Sequence, residues 1–120
     1  MFKILLVEDN KNCREAFKEH LSLHFPQVVI EEAVDGRQAM EKLKDSQAGL
    51  IFMDINLPDE SGLQLTRKIK AQYPDINVII LTSYDLPEYR DAAIRFGATD
   101  FLVKGSSDDA RVLSFIKSHL

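Results

Sequence analysis

Short apolar runs alternate along this chain with stretches whose apolar positions recur every three or four residues. The runs are Ile4–Val7, Val28–Ile30, Leu50–Met53, Val78–Leu81 and Phe101–Val103. Each is continuous and rich in Val, Ile or Leu, as strands covered on both faces are. Between them the spacing predicts helices. Cys13, Ala16, Phe17 and Leu21 share one face, and Ala39, Met40 and Leu43 share another. Leu65 with Ile69, then Ala92, Ala93 and Phe96, then Leu113, Ile116 and Leu120 mark three more. Asp35-Gly36 and Ser107 can open helices, Gly97 can close the fourth, and Asp108 and Asp109 suit the positive end of the last. Five strand-then-helix units predict an α/β chain: a parallel sheet with helices on both faces.

Composition narrows the function. A length of 120 residues suits one domain spanning 1–120 with a real core. The net charge of -4, without any basic block, argues against nucleic-acid contact or an anionic membrane surface within these residues. Cys13 is the only cysteine, so no disulfide can form within the chain and a reducing cytoplasm is expected. Its helical spacing with Phe17 predicts a core position. The apolar runs are too short to span a bilayer, and "MFKILLVEDN" meets its charges too early for a secretory leader.

In an open parallel sheet, chemistry collects outside the carboxyl ends of the strands. The residues just after the runs are Glu8-Asp9, Asp54, Thr82-Ser83 and Lys104. Three carboxylates, a hydroxyl and an amine thus meet at one edge. Two like charges about 4 Å apart repel by roughly 4 kcal/mol at an effective dielectric near 20, so three acids protonate, splay or hold a cation. Oxygen ligands favour a hard ion, and magnesium takes one or two carboxylates with waters and a phosphate oxygen. Calcium lacks its loop spacing here, and the zinc-type ligands His20, His24 and His119 fall in helical stretches. A carboxylate beside such an ion, with lysine and hydroxyl at hand, suits phosphoryl transfer onto Asp54.

The blocks "LLVEDN", "IFMDINLPDESG", "VIILTS" and "ATDFLVK", in this order, resemble the receiver domain of two-component response regulators. "FLVKGSS" is similar to receivers that precede a quorum-regulator-type helix-turn-helix output. The resemblance covers essentially the whole chain. It implies a flavodoxin-like, doubly wound fold: five parallel strands in order 2-1-3-4-5 with five helices. It also implies Asp54 as phosphoacceptor, with Mg2+ held by Glu8, Asp9, Asp54 and the backbone carbonyl of Asn56. Thr82, with Ser83 beside it, matches the switch hydroxyl, Phe101 the switch aromatic and Lys104 the phosphate-binding lysine. The implied partners are a sensor histidine kinase as phosphate source, and an output domain or second copy. The latter would dock on the fourth helix, fifth strand and fifth helix through Tyr84, Tyr89 and Arg111. A DNA-binding output domain, if present, would lie outside these residues. Phosphorylation should draw Thr82 toward the phosphate and Phe101 inward, as a graded switch. One departure is Gly105, where many receivers place a proline in a cis peptide, which leaves the Gly105–Ser107 loop geometry open.

Three other functions compete. A magnesium phosphohydrolase with an aspartyl nucleophile usually needs an acid two residues later, where this chain has Asn56. A flavin carrier needs a Ser/Thr/Gly-rich phosphate loop after the first strand, whereas "EDNKN" repels phosphate. A degenerate receiver used only for docking would not need the full acid set.

Overall fold

The computed structural model describes residues 2–45, 48–104 and 109–120. Strands and helices alternate: β1 (Lys3–Val7), α1 (Lys11–His24), β2 (Val29–Ala33), α2 (Gly36–Asp45), β3 (Leu50–Met53), α3 (Gly62–Gln72), β4 (Asn77–Thr82), α4 (Pro87–Arg95), β5 (Asp100–Val103) and α5 (Asp109–Ser118). All strand pairs are parallel and their order is β2-β1-β3-β4-β5, as the resemblance implied.

Alternate residues of the central strands face opposite layers, which is why their runs are apolar without a break. Leu5, Val7, Ile51, Met53, Val78, Ile80 and Phe101 pack with residues of α2, α3 and α4. Ile4, Leu6, Leu50, Phe52, Ile79 and Leu102 pack on the other side with Leu21 of α1 and with Val112 and Ile116 of α5. The four residues of β3 are each 0% exposed, so the middle of the sheet is dry.

Local chemistry sets the helix ends. The Asn10 side chain accepts from the Cys13 N–H at 2.9 Å and the Ser61 hydroxyl from the Leu63 N–H at 3.2 Å, while Pro87 opens α4. Asp35 caps α2 by accepting from the Gln38 N–H at 2.8 Å. Gly97, at φ +96°, closes α4 in the left-handed region that favours glycine. Ser107, Asp108 and the Gly105–Ser107 loop lie outside the described residues.

Leu120, expected on the apolar face of the last helix, lies beyond the end of α5 and is 50% exposed. Two further expectations need correction. The second strand begins at Val29 and runs on through Glu31 and Glu32 to Ala33. As an edge strand it is only partly covered, so it tolerates carboxylates that a central strand would not. Cys13 is exposed, and so is Ala16. The face of α1 that carries them borders an open groove of about 310 Å³ over β5 rather than packing closely. Phe17, half-buried with its ring edge-on to Phe52, and Leu21 anchor that face instead.

Candidate functional site

The sheet's hydrogen bonds continue one residue past the strands and thereby place the site. The Glu8 N–H donates to the Ala33 carbonyl at 3.0 Å, the Asp54 N–H to the Val7 carbonyl at 3.1 Å, and the Lys104 N–H to the Thr82 carbonyl at 2.7 Å. Glu8 and Asp54 thus stand side by side at the ends of β1 and β3, where the strand order reverses. Lys104 arrives from β5.

Carboxylate oxygens of Glu8, Asp9 and Asp54 lie within 4.8 Å of one another. Glu8 is 4% and Asp54 9% exposed, while Asp9 faces solvent. Lys104 Nζ donates to Glu8 Oε1 and lies 3.8 Å from Asp54 Oδ1. The Asn10 N–H donates to the other Glu8 oxygen at 3.2 Å.

These contacts separate the two buried acids. Burial pushes Asp54 up first, and the hydrogen bond and charge of Glu8 add to it, carrying its carboxyl to about 7 despite Lys104. Burial also opposes the charge on Glu8, but hydrogen bonds with Lys104 and Asp54 and the Lys104 charge outweigh it, so its carboxyl sits below the ordinary value. Burial disfavours the charged form of Lys104, yet the Glu8 hydrogen bond and the Asp54 and Glu8 charges raise it overall. Asp54 is thus reluctant to ionise beside a charged Glu8, a condition that a divalent cation relieves.

The acids fit magnesium. Oxygen bonds of about 2.0–2.1 Å place two ligands of one ion no more than about 4.2 Å apart, within a small side-chain adjustment of the cluster. The β3–α3 loop that carries Asn56 is tied back on itself: Asn56 bridges Ser61, and the Gly62 N–H donates to the Ile55 carbonyl at 2.7 Å. Gly62 is pressed against the acceptor's backbone, for a Cβ added there would meet the Asp54 carbonyl oxygen at 1.9 Å.

The remaining expected residues are distributed around this notch. Thr82 is fully buried and its hydroxyl accepts from the Tyr84 N–H at 3.2 Å; Ser83 beside it is exposed. Phe101 is 4% exposed, under the guanidinium of Arg90 at 4.8 Å from the ring centre, and Arg90 Nε is held by Asp85 at 2.8 Å. Tyr84 is 52% exposed. Tyr89 lines a cleft with Asp9, Asn56 and Pro58, on the acceptor side of α4. Arg111 pairs with Asp100 at the opposite end of β5. Of the three residues expected on an output face, Tyr84 is thus exposed, Tyr89 lines the cleft beside Asn56 and Arg111 is paired with Asp100.

Sequence reading missed Arg14, whose Nη1 donates to the Glu8 carbonyl at 2.9 Å and whose Nε reaches Glu32 at 3.1 Å. It also missed Asp59, which accepts from the Gly36 and Arg37 N–H groups at 3.0 and 3.1 Å and so joins the β3–α3 loop to α2. The Gly36 hydrogen bond is the leading reason the Asp59 carboxyl sits below its ordinary value. No short-range spacing announces either contact. An arginine one turn into a helix that starts at an acidic loop was the only available hint.

Residues 4–116 match the family model described as response regulator receiver domain. The oxygen regulatory protein NreC of Staphylococcus carnosus is 34% identical over 108 residues, which cover 89% of this chain and 50% of that protein. The chain thus spans half the length of that relative. Among solved structures, the receiver domain protein (CheY-like) of Methanospirillum hungatei superposes with a TM-score of 0.88 at 25% identity, covering 99% of this chain and 93% of that one. The response regulator TrrA of Thermotoga maritima, in complex with Mg2+–BeF, has a TM-score of 0.85 at 31% identity, with both chains covered completely.

Proposed function

Because this chain belongs to the response regulator receiver domain family, we propose that Asp54 is the residue that accepts the phosphoryl group, from the phosphohistidine of a sensor kinase. The observation that carries this reading is the Glu8–Asp9–Asp54 cluster with Lys104 at 3.8 Å from Asp54. An ionised Asp54 oxygen attacks phosphorus, the P–N bond breaks, and the departing imidazole keeps the bonding pair and takes up a proton. Glu8, Asp9, Asp54 and the Asn56 carbonyl would hold Mg2+, which when bound neutralises charge on the transferring group.

The chain's own residues supply the rest. Burial keeps water from competing with Asp54. Lys104 exchanges Glu8 for a phosphoryl oxygen, and the Thr82 hydroxyl leaves the Tyr84 N–H to donate to another. The sheet fixes the backbone of Glu8, Asp54 and Lys104 in advance, so the reaction has chiefly to redirect the Lys104 and Thr82 side chains. Movement of the Thr82 segment then alters the surface of α4, β5 and α5, to which an output domain or second copy responds. The chain is a signalling switch, and its working compartment in this reading is the cytoplasm. Among the described residues no helix is long and apolar enough to cross a membrane.

Acetyl phosphate with Mg2+ tests the assignment by intact mass. One phosphoryl group, labile to hydroxylamine, is expected on the parent and none on Asp54→Asn. Full modification of the Asn variant would assign the acceptor elsewhere.

A further inference from the structure

Glu8 and Asp9 sit on a loop, and loops do not hold their own geometry. The Glu8 peptide is nevertheless gripped on both sides. Its N–H is fixed by Ala33 at 3.0 Å, and its carbonyl by the Arg14 guanidinium at 2.9 Å. That carbonyl belongs to the planar unit that joins Glu8 to Asp9, so its orientation decides where the Asp9 side chain leaves the backbone. Arg14 is itself tied down. Its Nε bonds Glu32 Oε1 at 3.1 Å, Lys18 holds the other Glu32 oxygen at 3.2 Å, and only 14% of the Arg14 side chain is exposed. Burial raises the Glu32 carboxyl, but these two cations more than reverse it, so Glu32 stays charged.

We propose that Arg14 is a positioning residue for magnesium binding: it sets the Glu8–Asp9 peptide plane and anchors it to the edge strand through Glu32. The inference rests on the function proposed above. Arg14 touches neither the carboxylate oxygens of the acidic cluster nor the reacting groups. Its planar fork suits the task, because one guanidinium spans a carbonyl and a carboxylate at once, which an ammonium on a flexible stem does less well. The Glu32 carboxylate, shared with Lys18, offsets part of its positive charge.

Groups that orient metal ligands typically change metal affinity by roughly 10–100-fold when removed. Arg14→Gln is expected to raise the Mg2+ dissociation constant by about tenfold in calorimetry. The same variant should approach the parent's phosphorylation rate at saturating Mg2+, and its Asp9 amide signal should broaden or shift. Arg14→Lys keeps the charge but not the fork and should fall between the two, as should Glu32→Gln, which keeps Arg14 and guards against a misfolded Arg14→Gln. Unchanged Mg2+ affinity in these variants overturns the inference, and so does tighter binding in Arg14→Gln, the sign that mere repulsion gives. A parent that binds no Mg2+ and takes no phosphate overturns the proposed function itself, a different result from a parent that does both while the variants match it.

Discussion

Lys104 pairs with Glu8, ninety-six positions earlier in the chain, while the Asp54 carboxylate stands 3.8 Å from the same ammonium. The lysine is thus committed to one acid and near the other. Both acids share its field, and taking up a phosphoryl group means redirecting a bond already made.

Lys104→Gln leaves two buried acids facing each other without their cation. In Mg2+-free buffer at pH 8 it should cost about 1–3 kcal/mol of unfolding free energy, since the hydrogen bond lost is to a charged group. Adding Glu8→Gln should recover part of that, because one acid then remains. Denaturant titration of the four proteins in the double-mutant cycle measures the coupling. Strict additivity would show that the pair does not matter.

The raised Asp54 carboxyl makes stability depend on pH in a definite direction. Its folded value of about 7 lies above the ordinary aspartate value of 3.8. The folded state therefore holds a proton that the unfolded chain has already released, and the contribution of Asp54 to stability is lost as pH rises through about 7. Asp54→Asn removes this burden. Without metal it should stabilise by about 1–3 kcal/mol at pH 8, where the depressed Glu8 offsets part of the effect, and by almost nothing at pH 4. Thermal melts at the two pH values check it, and equal gains at both would contradict it.

Magnesium must displace that same proton. Between pH 6 and pH 8 the Mg2+ affinity of the parent should rise by about tenfold, following ionisation of Asp54. The Asp54→Asn variant should bind more weakly and show no such slope. Calorimetry in buffers of differing protonation enthalpy would count the released proton directly.

Phe101 already lies inside, capped by Arg90. Phe101→Ala should cost about 3–5 kcal/mol as a buried aromatic removed from a core. Arg90→Ala should cost only about 0.5–1 kcal/mol, since the guanidinium is partly solvated. Its larger effect should be on the ring's position. Aromatic NMR signals of Phe101 in Arg90→Ala should move toward an outward average and return with beryllofluoride and Mg2+. Signals that match the parent throughout would remove Arg90 from the switch.

What could be read from the sequence follows the reach of each interaction. β3 was legible to the residue, because a strand buried on both faces has only one way to look. Gly97 and Asp35 were legible because turn and cap chemistry is local. β2 was cut short because its outer half carries Glu31 and Glu32, which belong to an edge and not to an apolar run. Cys13 was misplaced because helical periodicity shows which residues share a face, but not how closely that face is covered. In the site, strand ends gathered Glu8, Asp54 and Lys104 correctly at one edge. Arg14 and Asp59 act across elements, through contacts that depend on the finished packing, and no spacing encodes them.

Gly62 has room for a hydrogen atom and for nothing larger. As the first residue of α3 it carries no charge, no nucleophile and no ligand, yet a single added methyl group would drive the helix away from the acceptor's own carbonyl. In a library of random variants selected for phosphate uptake, this position should therefore stay as invariant as Asp54 itself. A survey of tolerated substitutions would then mark as essential a residue with no part in the chemistry. An engineer wishing to retune the switch gains more freedom at Asn56 than at its quiet neighbour.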